Sequence, residues 1–320
     1  MRRSTLLACL LALALPPVAG ADSYLPAPGH VFNGVAGGYS VADYVTHTGA
    51  DPAVVQSFVA YRGSTNWAFD LADRAHARVM LHIGTTSPSG AERVTPAAIA
   101  RGAVDGWLAD LNRTIAARGE PAYIRLMAEM NCHWNVYSAY GARHDGAHST
   151  KAFRAAWRRT TVILRGGPAV ADELRALHQP PLQARGDLPE APVAMQWVPQ
   201  VAGAPDVSGN RPLAYWPGAR YVDWVGTDFY SKFPNFSGLE RFYASVRRFH
   251  RPFVFGEWAV WGADNPGFVS RLFSWTRSHP LVRMLVYNQG KRTDGPFRLR
   301  HYPRATRVLR GLLNLQRFSV

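Results

Sequence analysis

The sequence predicts an α/β chain folded as a single-domain (β/α)8 barrel, and three observations carry that expectation. From about residue 30 onward, eight short apolar runs rich in β-branched and aromatic residues recur along the chain. Most are followed by a stretch of helical periodicity, the pattern of a parallel sheet covered on both faces. No internal repeat and no Pro/Gly/Ser-rich linker divides the chain, and barrels routinely reach 250 residues or more. The competing fold, an open doubly wound sheet, calls for a glycine-rich phosphate loop after the first strand. GVAGG at 34–38 is the one candidate and lacks the full fingerprint.

In chain order, strands are expected at VFNGVA (31–36), VVQSFVAY (54–61), RVMLHIG (78–84) and YIRLMAE (123–129). The series continues with VAMQWVP (193–199), VDWVGTDFY (222–230), FVFGEWAV (253–260) and VRMLVYN (282–288). A long helix is expected over 95–119, with Thr95 as N-cap, Pro96 at the first helical position and Gly119 at the end. A second spans 149–167, capped by Ser149 or Thr150 and stopped by a glycine pair. Further helices are expected over 238–250, 266–279 and 303–316.

The first 21 residues read as a secretory signal: Arg2 and Arg3, an apolar run from Leu6 to Leu15, then Ala19-Gly20-Ala21 as the small-residue cleavage site. The apolar run is too short for a permanent membrane span. The expected mature protein is therefore secreted, to the medium or a periplasm, as one domain over residues 22–320. Cleavage would remove Cys9 and leave Cys132 alone, best read as a buried inert thiol. A net charge of +14 raises nucleic-acid binding. The arginines are scattered rather than gathered in a stripe, which favours a basic surface suited to anionic glycans or cell envelopes. A monomer without nucleic-acid partners is expected. Asn112-Arg-Thr and Asn235-Phe-Ser are formal glycosylation acceptors.

In a barrel of this kind, chemistry sits on the loops at the C-terminal strand ends. The third expected strand delivers His82, and the fourth delivers Glu129, then Asn131 and Trp134. From the fifth come Gln196 and Trp197, from the sixth Asp228 and Tyr230. The seventh brings Glu257, Trp258 and Trp261, and the eighth Tyr287 and Asn288. No His or Cys cluster has metal-ligand spacing, so neither metal nor other cofactor is expected. Two carboxylates above a pocket lined with indoles, phenols and amides suit glycoside hydrolysis. One acid protonates the leaving oxygen, the other attacks or stabilises the anomeric carbon, and aromatic faces stack on sugars. Each residue also has a plainer reading: Glu129 could pair with Arg125, Asp228 could cap a helix, and Trp258 and Trp261 could be packing.

The stretch IARGAVDGWLADLNRTIAARGEPAYIRLMAEMNCHW (99–134) resembles the region leading to the acid/base in glycoside hydrolase family 26, the β-mannanase-like members of the retaining (β/α)8 clan. YWPGARYVDWVGTDFYS (215–231) looks like the sixth strand of that family, and RPFVFGEWAVWG (251–262) is similar to its nucleophile strand. WRRTTVILR and QWVPQ match more loosely. The resemblance implies Glu129 as general acid/base, Glu257 as nucleophile, Tyr230 orienting Glu257, Trp134 lining the sugar site, and a retaining mechanism without metal. The remaining candidate substrate contacts are His82, Asn131, Trp197, Asp228, Trp258, Trp261 and Asn288. The family usually has His immediately before the acid/base, where this sequence has Ala128; His82, at the end of the third strand, is either its replacement or a plain rim histidine. The expected substrate is a β-linked polysaccharide, a β-mannan or a related acidic exopolysaccharide. The alternative is a carbohydrate-binding barrel with weakened chemistry.

Overall fold

The computed structural model describes residues 24–37 and 41–318, so the expected signal sequence lies outside the described residues. Eight parallel strands close into a barrel in sequence order, with β8 pairing back onto β1. They are β1 (Phe32–Ala36), β2 (Val54–Ala60), β3 (Arg78–Gly84), β4 (Ala122–Leu126), β5 (Val193–Trp197), β6 (Trp224–Tyr230), β7 (Phe253–Ala259) and β8 (Val282–Asn288). The layer around them contains α1 (Val41–Thr48), α2 (Asn66–Arg74), α3 (Pro96–Ala100), α4 (Asp105–Arg118), α5 (Thr150–Arg165) and α6 (Val170–Ala176). It is completed by α7 (Phe236–Val246), α8 (Pro266–Ser278) and α9 (Pro303–Leu313). Three short 3-10 turns, and no α-helix, connect β5 to β6.

Two apolar cores follow from strand alternation, because successive side chains point to opposite faces. Inside the barrel, Phe32, Val54, Met80, Tyr123, Ala194, Trp224, Val254 and Met284 are buried together at the N-terminal end. Tyr123 seals this layer by donating its hydroxyl to the Tyr24 carbonyl at 2.7 Å. The larger core lies between sheet and helices, where Ile124, Met195, Trp197, Phe255 and Leu285 meet Leu108, Ile115, Phe153, Trp157 and Leu272.

The single helix expected over 95–119 is two. Thr95 caps α3 as anticipated, accepting from the Ala98 amide with Pro96 behind it, and Gly119 ends α4 at φ +68°. Between them the chain turns at Gly102, whose φ of +96° favours glycine and whose missing Cβ would lie 2.8 Å from Gln183. The break seats Asp105 on the buried Arg159 guanidinium of α5. Ser149, rather than Thr150, caps α5. Asn112 is fully buried and donates to the Leu164 and Pro189 carbonyls, so the folded chain does not present it for glycosylation. Cys132 is buried as expected, and burial pushes its thiol well above the ordinary range.

Candidate active site

Strand β4 ends at Leu126, three residues short of the expected strand end, and the reason is visible in the backbone. Met127 and Glu129 have φ of +41° and +52°, left-handed values that are costly for residues with side chains. The reversal stops the ladder and carries Glu129 over the open end of the barrel. There the Gln200 amide donates to Glu129 Oε1 at 2.7 Å, and the Trp134 indole donates to Oε2 at 2.8 Å. Trp134 is 54% exposed, so one ring both holds this carboxylate and faces solvent.

Glu257 has different surroundings. It is buried on β7, and Arg125 donates to its Oε1 at 2.5 Å. Its Oε2 accepts from the Tyr230 hydroxyl at 2.6 Å and from the Asn288 amide at 2.7 Å. Gln56 donates to Oε1 at 3.3 Å. Burial pushes this carboxyl up, but Arg125 and the hydrogen bonds from its neighbours outweigh burial and hold it well below the usual carboxylate range. Burial and the adjacent Glu257 charge raise Tyr230, keeping its phenol a donor.

The centre of the arrangement is Arg125, a buried guanidinium that contacts Asp228 through Nη2 and Glu257 through Nη1. Burial opposes its charge; Asp228, Glu257 and Glu129, in that order, more than offset it. Burial and the Glu257 charge in turn push Asp228 up, against the pull of Arg125. Gly256 is required by this packing: a Cβ there would fall 2.7 Å from Arg125 Nε.

His82 accepts from Arg125 through Nδ1 at 2.7 Å, which requires the neutral imidazole with its proton on Nε2. The same nitrogen is 3.7 Å from Glu257 Oε1, too far for a hydrogen bond. Desolvation and the Arg125 charge lower the imidazole to about 4 from its ordinary 6.5. Between those values the unfolded chain binds a proton that the folded one refuses, so stability falls with pH across this window and the loss saturates below about 4. The depressed Glu257 acts later, its contribution present above about 4.5 and lost as pH falls further. Thermal melting from pH 7 to pH 4 is expected to show a steeper decline for wild type than for His82→Gln. Parallel curves would remove His82 as the cause.

The structure brings His82, Glu129, Trp134, Asp228, Tyr230, Glu257 and Asn288 to one end of the barrel, and Trp261 packs against Tyr230 at 5.9 Å between centroids. Other expectations need correction. Trp197 and Trp258 belong to the strand–helix core, against Phe242 and Phe273 respectively. The pleat turns Trp197 outward after the inward Gln196, and past an irregularity in β7 between Phe255 and Trp258 it turns Trp258 outward after Glu257. Asn131 is fully buried; it receives the Gln200 amide and donates to the Gln200 and Ala202 carbonyls, fastening one loop to another. Glu129 does not hydrogen-bond Arg125, and Asp228 caps no helix. Ala128 is buried in the inner core beside Val198, while His82 contacts the Arg125–Glu257 pair. Sequence reasoning passed over Gln56 and Gln200 as contacts and Arg125 as the organiser. Gln56 and Arg125 had a signal, each a polar residue within an apolar strand.

Among the described residues, no group of three or more His, Cys, Asp or Glu is arranged to bind a metal, and no helix is long and apolar enough to cross a membrane. No family model and no curated protein matches the sequence. Solved structures match the fold. The chain is similar to a mannanase of Bacillus subtilis at 14% identity, covering 89% of this chain and 87% of that one with a TM-score of 0.60. A GH26 β-mannanase from Bacteroides ovatus matches at 13% identity, over 93% and 91% of the two chains with a TM-score of 0.59. The catalytic domain of a GH26 endo-β-1,4-mannanase from Bacillus sp. JAMB-750 matches at 12% identity, over 91% and 87%, with a TM-score of 0.60.

Proposed function

We propose that this protein is a retaining glycoside hydrolase of family 26 that cleaves a β-linked polysaccharide by double displacement. The observation that supports this most is the contrast between the two glutamates. Glu257 is kept ionised by Arg125 and aimed by Tyr230 and Asn288, as an attacking carboxylate must be. Glu129 is half-buried, accepts from the neutral donors Trp134 and Gln200, and is the carboxyl placed to serve the leaving group and the incoming water. In the first step Glu257 attacks the anomeric carbon while Glu129 protonates the glycosidic oxygen. In the second, Glu129 deprotonates the water that displaces Glu257. The expected leader places this activity outside the cytoplasm, and a monomer contains every group the reaction requires.

Hydrolysis of a defined β-linked oligosaccharide, followed by NMR of the newly formed anomer, tests the stereochemistry: β product supports double displacement, and α product excludes it. Removing the proton donor should matter in proportion to leaving-group basicity. Glu129→Ala is expected to lose roughly 10²- to 10⁴-fold on a polysaccharide and much less on an activated aryl glycoside. Azide should accelerate the variant on the activated substrate and yield a β-glycosyl azide. Equal losses on both substrates would remove Glu129 from the acid/base role.

A further inference from the structure

We propose, resting on the hydrolase reading above, that the active-site end of the barrel takes an acidic glycan, with Lys232 and Lys291 meeting its anionic substituents. Only three of the 36 basic residues are lysines, and two of the three flank the nucleophile strand on the loops that follow β6 and β8. Lys232 is two residues beyond Tyr230, and Lys291 three beyond Asn288, the two side chains that bond Glu257 Oε2. At no more than about 3.6 Å of chain per residue, each lysine backbone stays within roughly 11 Å of those side chains' own backbones. Both lysines therefore stand on the rim that carries the reaction centre.

Each ammonium also occupies an aromatic face. Lys232 Nζ lies 4.6 Å from the Trp261 ring centroid, and Lys291 Nζ lies 4.9 Å from that of Phe58, which also meets the His82 ring at 5.2 Å. A neutral sugar would want those faces bare for stacking; an acidic one gains from a cation set at the edge of the platform. Both lysines are exposed, and neither has a carboxylate partner among the described residues. Several arginines on the surrounding loops are committed elsewhere: Arg62 and Arg93 to the Ala103 and Tyr61 carbonyls, Arg300 to Asp294. A flexible point charge without an internal partner suits an anionic group of variable geometry better than a fixed guanidinium fork does.

The test uses the full chain with three polymers: a β-linked uronate polymer, a phosphorylated mannan and neutral β-mannan, at low and high salt. The acidic substrates are expected to show the lower KM, and the advantage should shrink as salt rises. Lys232→Gln and Lys291→Gln should each raise KM on the acidic polymer about threefold, as an exposed ion pair warrants, and about tenfold together. Lys→Arg at both positions should recover most of the loss. Whichever acidic polymer responds more identifies the carboxylate or the phosphate as the source of the charge. A lower KM on neutral mannan, or a double Gln variant with wild-type KM on acidic polymer, would overturn the proposal. If no polymer is cut, affinity electrophoresis separates the two readings. Retention of the chain by acidic polymer, lost in the double variant, keeps the acidic-glycan inference while the hydrolase reading falls.

Discussion

Replacing Glu257 with Gln should lower kcat on a β-linked polysaccharide by about 10⁴-fold or more, equivalent to at least about 5 kcal/mol of transition-state stabilisation. Gln is the informative substitution because it keeps the volume and the hydrogen bonds to Tyr230 and Asn288 while removing the nucleophilic charge. The residual fold can be verified by melting, so the loss is attributable to chemistry. Glu257→Gly, which opens space beneath the anomeric carbon, should be rescued by azide on an activated aryl glycoside. The product there should be the α-glycosyl azide, since azide enters from the face that the carboxylate vacated. That stereochemistry is opposite to the β azide expected from Glu129→Ala. Rescue with the same anomer in both variants would contradict the assignment of the two glutamates.

The second large effect concerns stability. Among the described residues, Arg125 is the one cation touching two buried carboxylates, so Arg125→Met leaves Asp228 and Glu257 facing each other without a counter-charge. Breaking a buried ion pair by deleting one partner costs about 3–5 kcal/mol. For a chain of this size that lowers Tm by roughly 10 °C. Because the same guanidinium keeps Glu257 ionised, the acid limb of the activity profile should also move to higher pH in this variant. Arg125→Met combined with Asp228→Asn should be less destabilised than the two single losses added together, since one unpaired carboxylate has been neutralised. Additive losses, or a Tm within 2 °C of wild type for Arg125→Met, would show that the guanidinium is not the centre of the network.

Much of this site was legible in the sequence, for reasons the particular residues make clear. Glu129 and Glu257 stand where apolar runs end, and in a parallel barrel every such end points to the same face. Tyr230 and Asp228 are two apart on one strand and so share its inner side. What misled was adjacency. Trp258 follows Glu257 and Trp197 follows Gln196, and nearness in sequence suggested nearness to substrate, whereas the pleat sends each indole into the helix layer. Asn131 failed for a related reason: its amide serves the backbone of a loop from β5, a partner about 70 residues away that no local pattern announces.

By itself the sequence determined the barrel, because strand and helix periodicities are local and the order of eight strand–helix units leaves few topologies. It also determined which strand ends carry carboxylates. The tertiary structure alone decided which carboxylates the buried guanidinium serves. Arg125 could have served Glu129, four residues along its own chain. Closure of β4 against β3 and β5, and the left-handed turns at Met127 and Glu129, instead aim the guanidinium across the barrel at Asp228 and Glu257. Charge pairing in a buried site depends on distances across the fold, and those exist only once the barrel has closed.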